Sequence, residues 1–173
     1  MNPIRCIQTP IGPLRIETDG QAVTRIRFGG DPNGNSSSEP NRDPNSDPNG
    51  DPNNGVDERA DTPLLRQAVR ELQEYFAGQR RSFTLPLAPA GTPFQHTVWE
   101  ALRQIPYGQT RSYKQIAQQI GRPAACRAVG LANNRNPIPI LIPCHRVVGA
   151  DGSLTGYAGG LTVKSRLLAI ERP

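Results

Sequence analysis

The chain has 173 residues, a formal net charge of +5 and a hydrophobic share of 35%. That length suits one domain or two small ones, and the low apolar share implies that part of the chain lies outside any core. No apolar run is long enough to span a membrane and no N-terminal stretch reads as a secretion signal, so a cytoplasmic protein is expected.

Residues 3–28 read as a small antiparallel sheet. Ile4–Gln8, Leu14–Thr18 and Val23–Phe28 alternate apolar and polar residues, with turns at Pro10–Gly12 and Asp19–Gly20. Residues 29–61 then change character. Asp-Pro-Asn recurs from Asp31, Asp43, Asp47 and Asp51, and almost nothing apolar precedes Val56. Such a stretch cannot bury enough surface to offset the entropy of ordering, so a disordered insertion is expected. It holds eight acids and two arginines, a net −6, which leaves +11 on the remainder.

Thr62-Pro63 has the chemistry of a helix start, a capping threonine before proline. Leu65, Val69, Leu72 and Phe76 continue at helical spacing, and Gly78 ends the run. Ser82–Leu87 reads as a last strand of the first unit. Pro86, Pro89, Gly91 and Pro93 then mark a linker. The expected division is 1–88 and 89–173.

Thr92-Pro93 starts a second helical segment, with Phe94, Val98 and Leu102 on one face and Trp99 flanking it. Ser112 caps a short helix through Ile120. Gly121-Arg122-Pro123 turns the chain into a second helix over about Ala124–Asn133. Two short helices across a glycine turn form a helix-turn-helix pattern, which also occurs in helical proteins that bind no nucleic acid. From residue 90 onward there are ten Lys or Arg and three acids, a net +7 suited to phosphate contact. The second helix is built of small residues: Ala124, Ala125, Ala128, Gly130 and Ala132. Small residues let a helix press into a groove, whereas a reader of base edges carries long polar side chains. Ile138–Val148 is apolar and proline-rich, hence expected to be extended, and Leu161–Ile170 reads as a closing helix.

The cysteines, Cys6, Cys126 and Cys144, are odd in number and far apart, so reduced thiols are expected. His96 and His145 are the only histidines and no CxxC or HxxxH pair exists, so no metal or other cofactor is expected. The chemically richest segment is Pro143-Cys144-His145-Arg146-Val147. A free thiol titrates near roughly 8.5, and a neighbouring base or cation is needed to make it nucleophilic. On local context alone Cys144 also fits an inert buried thiol, and a Cys-His pair also fits a cysteine hydrolase.

Asn136 through Val147 resembles the active-site signature of the O6-alkylguanine-DNA alkyltransferases, also called methylated-DNA–protein-cysteine methyltransferases. The resemblance extends to Thr92-Pro93-Phe94, Ile105-Pro106-Tyr107-Gly108, Ser112-Tyr113, Arg127-Ala128-Val129-Gly130 and Gly156-Tyr157-Ala158-Gly159-Gly160. It implies an α/β (α+β) protein: a ribonuclease H-like sheet-plus-helix domain, then a helical winged-helix-like DNA-binding domain. It implies a single-use transfer of a methyl or other alkyl group from O6-alkylguanine, and from O4-alkylthymine, in double-stranded DNA. Cys144 would accept the group. Glu171 would hold His145, which would deprotonate Cys144 through a water. Asn136 would brace the turn between recognition helix and active site. Tyr113 would help rotate the nucleotide and protonate the leaving guanine. Arg127 would fill the space of the flipped base, with Ala125, Ala128 and Arg135 also on the DNA-binding face. Val147, Tyr157, Ala158 and Pro139 would form the substrate pocket. A monomer is expected. The rivals are a lesion-binding module without transfer, which Cys144 disfavours, and a helix-turn-helix regulator, which the small-residue helix disfavours.

Overall fold

The computed structural model describes residues 2–29, 61–157 and 159–172. Apart from Gly29 and Asp61, the expected disordered insertion at 29–61 lies outside the described residues.

Alternation in the first 28 residues produces three strands, β1 (Ile4–Thr9), β2 (Gly12–Thr18) and β3 (Val23–Phe28), in an antiparallel sheet of order β1-β2-β3. Leu14 and Ile16 of β2, with Val23 and Ile26 of β3, point into the core. Helix α1 (Pro63–Phe76) covers the sheet. Thr62 caps it by accepting from the Leu65 amide, and Leu65, Ala68, Leu72 and Tyr75 form its buried face.

The expected strand at Ser82–Leu87 is absent. Only an isolated parallel bridge joins Leu87 to Val23, made by Val23 N to Pro86 O and Ala88 N to Val23 O. Pro86 has no amide to give a ladder, and Pro89 ends the run. What holds the segment is Glu71, buried on α1, which accepts from the Thr84 amide at 2.9 Å and from the Thr84 hydroxyl.

Helix α2 (Pro93–Arg103) runs through the second unit, started by a capping box between Thr92 and Gln95. Trp99 is not a flanking residue but core: it is buried, and its indole N–H donates to Ala132 O at 2.8 Å. That bond pins α2 to α4 (Cys126–Asn134), which starts slightly later than the sequence suggests. The pair α3 (Tyr113–Gln119) and α4 forms the helix-turn-helix, with Ser112 in a capping box and Gly121 at φ +73 in the turn. Strand β4 (Arg111–Ser112) pairs in parallel with β5 (Val147–Val148), and α5 (Leu161–Glu171) closes the chain. The molecule is a mixed α/β fold, a small sheet-and-helix unit followed by a helical one. The two are tied by Ile26 N to Pro137 O at 2.9 Å.

Candidate active site

The segment that carries Cys144 is not the extended strand its composition predicts. Helix α4 stops at Asn134, and Asn136 then bridges the loop from inside. Its Oδ1 accepts from the Ile138 amide at 2.9 Å, and its Nδ2 donates to Ile142 O at 2.8 Å. Ile138–Ile142 closes as a tight turn, Ile142 N to Ile138 O at 3.0 Å, with Ile140 at φ +75. A β-branched residue rarely adopts that conformation, so the surrounding bonds must hold it there. Residues Cys144–Arg146 then form a single 3-10 turn before β5. Prolines at 137, 139 and 143 remove amide donors, which forbids a regular helix but allows these turns.

Behind this turn lies a buried charged network. The carboxylate of Glu171, at the end of α5, meets His145 Nε2 at 2.7 Å through Oε1. Arg146 donates from Nε to Oε2 at 2.9 Å and from Nη2 to Oε1 at 2.8 Å, the two-pronged geometry that suits guanidinium and carboxylate. Arg146 Nη1 also donates to Ile105 O at 2.7 Å. Tyr75, from α1, donates its hydroxyl to Glu171 Oε1 at 2.7 Å. Burial pushes the Glu171 carboxyl up, but the hydrogen bonds and charges of His145 and Arg146 outweigh it and hold it down at about 2.

This network fixes the state of His145. Burial pushes its pKa below the ordinary 6.5, against the pull of Glu171, so the ring is neutral near pH 7. A carboxylate at Nε2 requires that nitrogen to carry the proton. Nδ1 then holds the free lone pair, and it has no hydrogen-bond partner in the protein. A neutral imidazole oriented by a carboxylate, with its other nitrogen free, is a general base.

Cys144 is buried at 4% exposure, and burial raises its thiol above the ordinary range. The Asn136 side chain, the Tyr157 hydroxyl and the Lys164 charge oppose that rise. The Tyr157 hydroxyl is close enough to act on the sulfur but makes no hydrogen bond of ordinary geometry. Lys164 is itself fully buried. Its ammonium donates to Thr155 O at 3.0 Å and lies 5.9 Å from the Tyr157 ring centre. The resting sulfur is thus a thiol, which needs a base to become a nucleophile.

Cys144, His145, Glu171, Asn136 and Tyr157 therefore meet in one place. Val147 is buried in β5, and Pro139 is buried in the turn, bridged to Ile142. Tyr113 sits at the start of α3 with its hydroxyl donating to Thr155 O at 3.1 Å, on the loop that leads to Tyr157. Arg127 and Ala128 are exposed on α4, Ala125 is half-buried at its start, and Arg135 is exposed at its end. Ala158 lies outside the described residues. Sequence reasoning missed Tyr75, Asn133 and Lys164. Asn133 is buried on α4 and donates to Cys144 O at 3.4 Å, linking the second helix of the helix-turn-helix to the cysteine backbone. Lys164, Leu167 and Glu171 share one buried face of α5 at helical spacing, the signal that could have found Lys164. Among the described residues, no group of three or more His, Cys, Asp or Glu side chains is arranged to hold a metal ion.

Both units of the chain match models of one known family. Residues 93–173 match the family model described as "6-O-methylguanine DNA methyltransferase, DNA binding domain". Residues 4–89 match "6-O-methylguanine DNA methyltransferase, ribonuclease-like domain". The chain belongs to the 6-O-methylguanine DNA methyltransferase family. Relatives in this family include the methylated-DNA–protein-cysteine methyltransferase of Methanosarcina mazei, 52% identical over 95% of this chain and 94% of that protein. The constitutive methylated-DNA–protein-cysteine methyltransferase of Bacillus subtilis is 46% identical over 99% of this chain and 96% of its own length. A crystal structure of Mycobacterium tuberculosis OGT in complex with DNA superposes with a TM-score of 0.76 at 44% identity, covering 98% of this chain and 92% of that one.

Proposed function

We propose that this chain repairs DNA by direct reversal, moving an alkyl group from O6-alkylguanine onto its own Cys144, once per molecule. The observation that carries this reading is the buried relay at the cysteine. A protonated thiol is followed directly by a neutral His145 whose Nδ1 is free and whose Nε2 is held by the Glu171 carboxylate. In the step itself His145 Nδ1 takes the thiol proton through a bridging water. The sulfur displaces the O6 oxygen at the alkyl carbon, so an S–C bond forms as the O–C bond breaks, and the leaving guanine recovers a proton. Tyr113 supplies that proton and is recharged from solvent. The product is a thioether with no partner to cleave it, so each protein acts once.

The DNA partner follows from membership in the family and the basic second unit. The buried sulfur cannot approach the alkyl carbon while the guanine is paired and stacked in a duplex, so the base must be extruded, and a damaged pair opens at lower cost. Arg127 fills the gap, while Ala125, Ala128 and Arg135 face the backbone. Asn136 braces the turn, and Val147, Tyr157, Ala158 and Pro139 shape the pocket. O4-alkylthymine fits the same chemistry. The working division is 1–88 and 89–173, and the protein works as a cytoplasmic monomer. Among the described residues no helix is long and apolar enough to cross a membrane.

The test uses an O6-methylguanine duplex with a labelled methyl group. Cys144→Ala should abolish transfer to protein while keeping affinity for the duplex. Transfer that persists in Cys144→Ala would overturn the assignment of the acceptor.

A further inference from the structure

Among the described residues, every hydrogen-bond partner of the Glu171 carboxylate but one lies in the helical unit. Tyr75 belongs to the last turn of α1, and its hydroxyl reaches across 96 residues of chain to Glu171 Oε1. We propose that Tyr75 is a positioning residue for alkyl transfer, holding Glu171 and tempering its pull on His145. This rests on the reading of Cys144, His145 and Glu171 as the reacting relay.

The argument starts from one oxygen. Glu171 Oε1 accepts from Tyr75 at 2.7 Å, from His145 Nε2 at 2.7 Å and from Arg146 Nη2 at 2.8 Å. A carboxylate offers about four lone-pair sites over two oxygens, so three donors on one oxygen share its density. Glu171 Oε2 takes only Arg146 Nε at 2.9 Å and the Gly108 amide at 3.5 Å. Whatever Tyr75 withdraws from Oε1 is withdrawn from the bond to His145. The charged and titratable groups facing His145 are Glu171, Arg146 and Lys164. Those facing Glu171 are His145, Arg146, Tyr75 and Tyr157, with Tyr107 beside Tyr75.

The packing says the hydroxyl is there for this bond. Leu65, Ala68, Leu72 and Tyr75 form the buried face of α1, and the Tyr75 ring packs on Phe76, Phe83 and Tyr107. A phenyl ring would satisfy that surface. A buried hydroxyl is costly unless it is hydrogen-bonded, and here its partner is Glu171. Burial and the Glu171 charge also push the Tyr75 pKa upward, so the group stays a donor.

Removal of the hydroxyl should leave Glu171 a stronger acceptor for His145 and make the ring easier to protonate. The chain has two histidines, so ring nitrogens of the full-length protein can be followed by NMR, with exposed His96 as the internal reference. In Tyr75→Phe the His145 midpoint should rise by about half a pH unit or more, a part of the roughly one to two units that a hydrogen bond to a charged group is worth, passed on through Glu171. The acid limb of the single-turnover rate should move up with it, with the alkaline plateau recovering. Phe83→Leu loosens the ring packing but keeps the hydroxyl, and should leave the midpoint in place. A ring-fluorinated tyrosine at Tyr75 is a stronger donor with the same shape, and should move the midpoint down. It also serves if Tyr75→Phe does not fold. An unmoved midpoint in Tyr75→Phe and the fluorinated protein, or an equal shift in Phe83→Leu, would overturn the proposal. Failure of the wild-type protein to transfer alkyl groups overturns the functional reading instead, because the NMR titration does not depend on transfer.

Discussion

Cys144 is buried, and burial favours the neutral thiol, so the chemistry must be sought in what surrounds the sulfur. Lys164 is the nearby cation. Its charge lowers the Cys144 pKa, so removing it raises that pKa further and shrinks the thiolate fraction at any pH below it. Each unit is tenfold, and Lys164→Met should slow the reaction of Cys144 with a small haloacetamide about tenfold near neutral pH. Cys6 and Cys126 serve as internal references in peptide mass mapping. A Cys144 rate unchanged against theirs would mean the ammonium does not act on the sulfur. Cys144 and His145 were legible because they are adjacent in a motif. Lys164 and Glu171 were harder to see in their full setting, because charged residues on a helix ordinarily face water. Tyr75 was not legible at all: its partner is fixed only when α1 and α5 meet.

At the scale of elements, local chemistry predicts well where local bonds decide. Thr62, Thr92 and Ser112 each cap the helix that follows, and β1, β2 and β3 appear where alternation puts them. The expectation fails where a long-range partner decides. Ser82–Leu87 has strand composition, yet Glu71 and a single bridge hold it as an irregular segment. Ile138–Val148 has the composition of an extended run, but Asn136 folds its start into a turn. Helix α4 presents Arg127, Ala128 and Leu131 to solvent, Leu131 at 60% exposure, so its outer face is small and partly apolar around one cation. If Arg127 replaces the extruded base, Arg127→Ala should slow single-turnover repair of duplex DNA about tenfold or more, the effect of losing roughly 1.4 kcal/mol of compensation. Reaction with a free O6-substituted guanine should change much less. A simple phosphate contact predicts instead that saturating protein at low salt restores the duplex rate.

At the scale of the molecule, the two units share one buried charged network. Tyr75 of the first meets Glu171 of the second, and Phe28 of β3 packs against Tyr157 with ring centres 5.8 Å apart. Acid should therefore act on both units. His145 has a pKa below its ordinary 6.5 in the fold, so its contribution is full above that value and is lost as pH falls toward the folded pKa. Glu171 is held at about 2 against an ordinary 4.5, so its contribution is present above 4.5 and is lost as pH falls toward 2. The denaturant midpoint should drop as pH falls below about 6.5, and drop again below about pH 4.5. A flat or rising midpoint toward acid would contradict the buried His145–Glu171 pair. The central claim, single-use transfer to Cys144, is tested most directly by intact-protein mass after incubation with excess O6-methylguanine duplex. The account predicts a plateau at one added methyl group per protein, mapped by peptide sequencing to Cys144. Repeated turnover with unmodified protein, or label on Cys6 or Cys126, would contradict it.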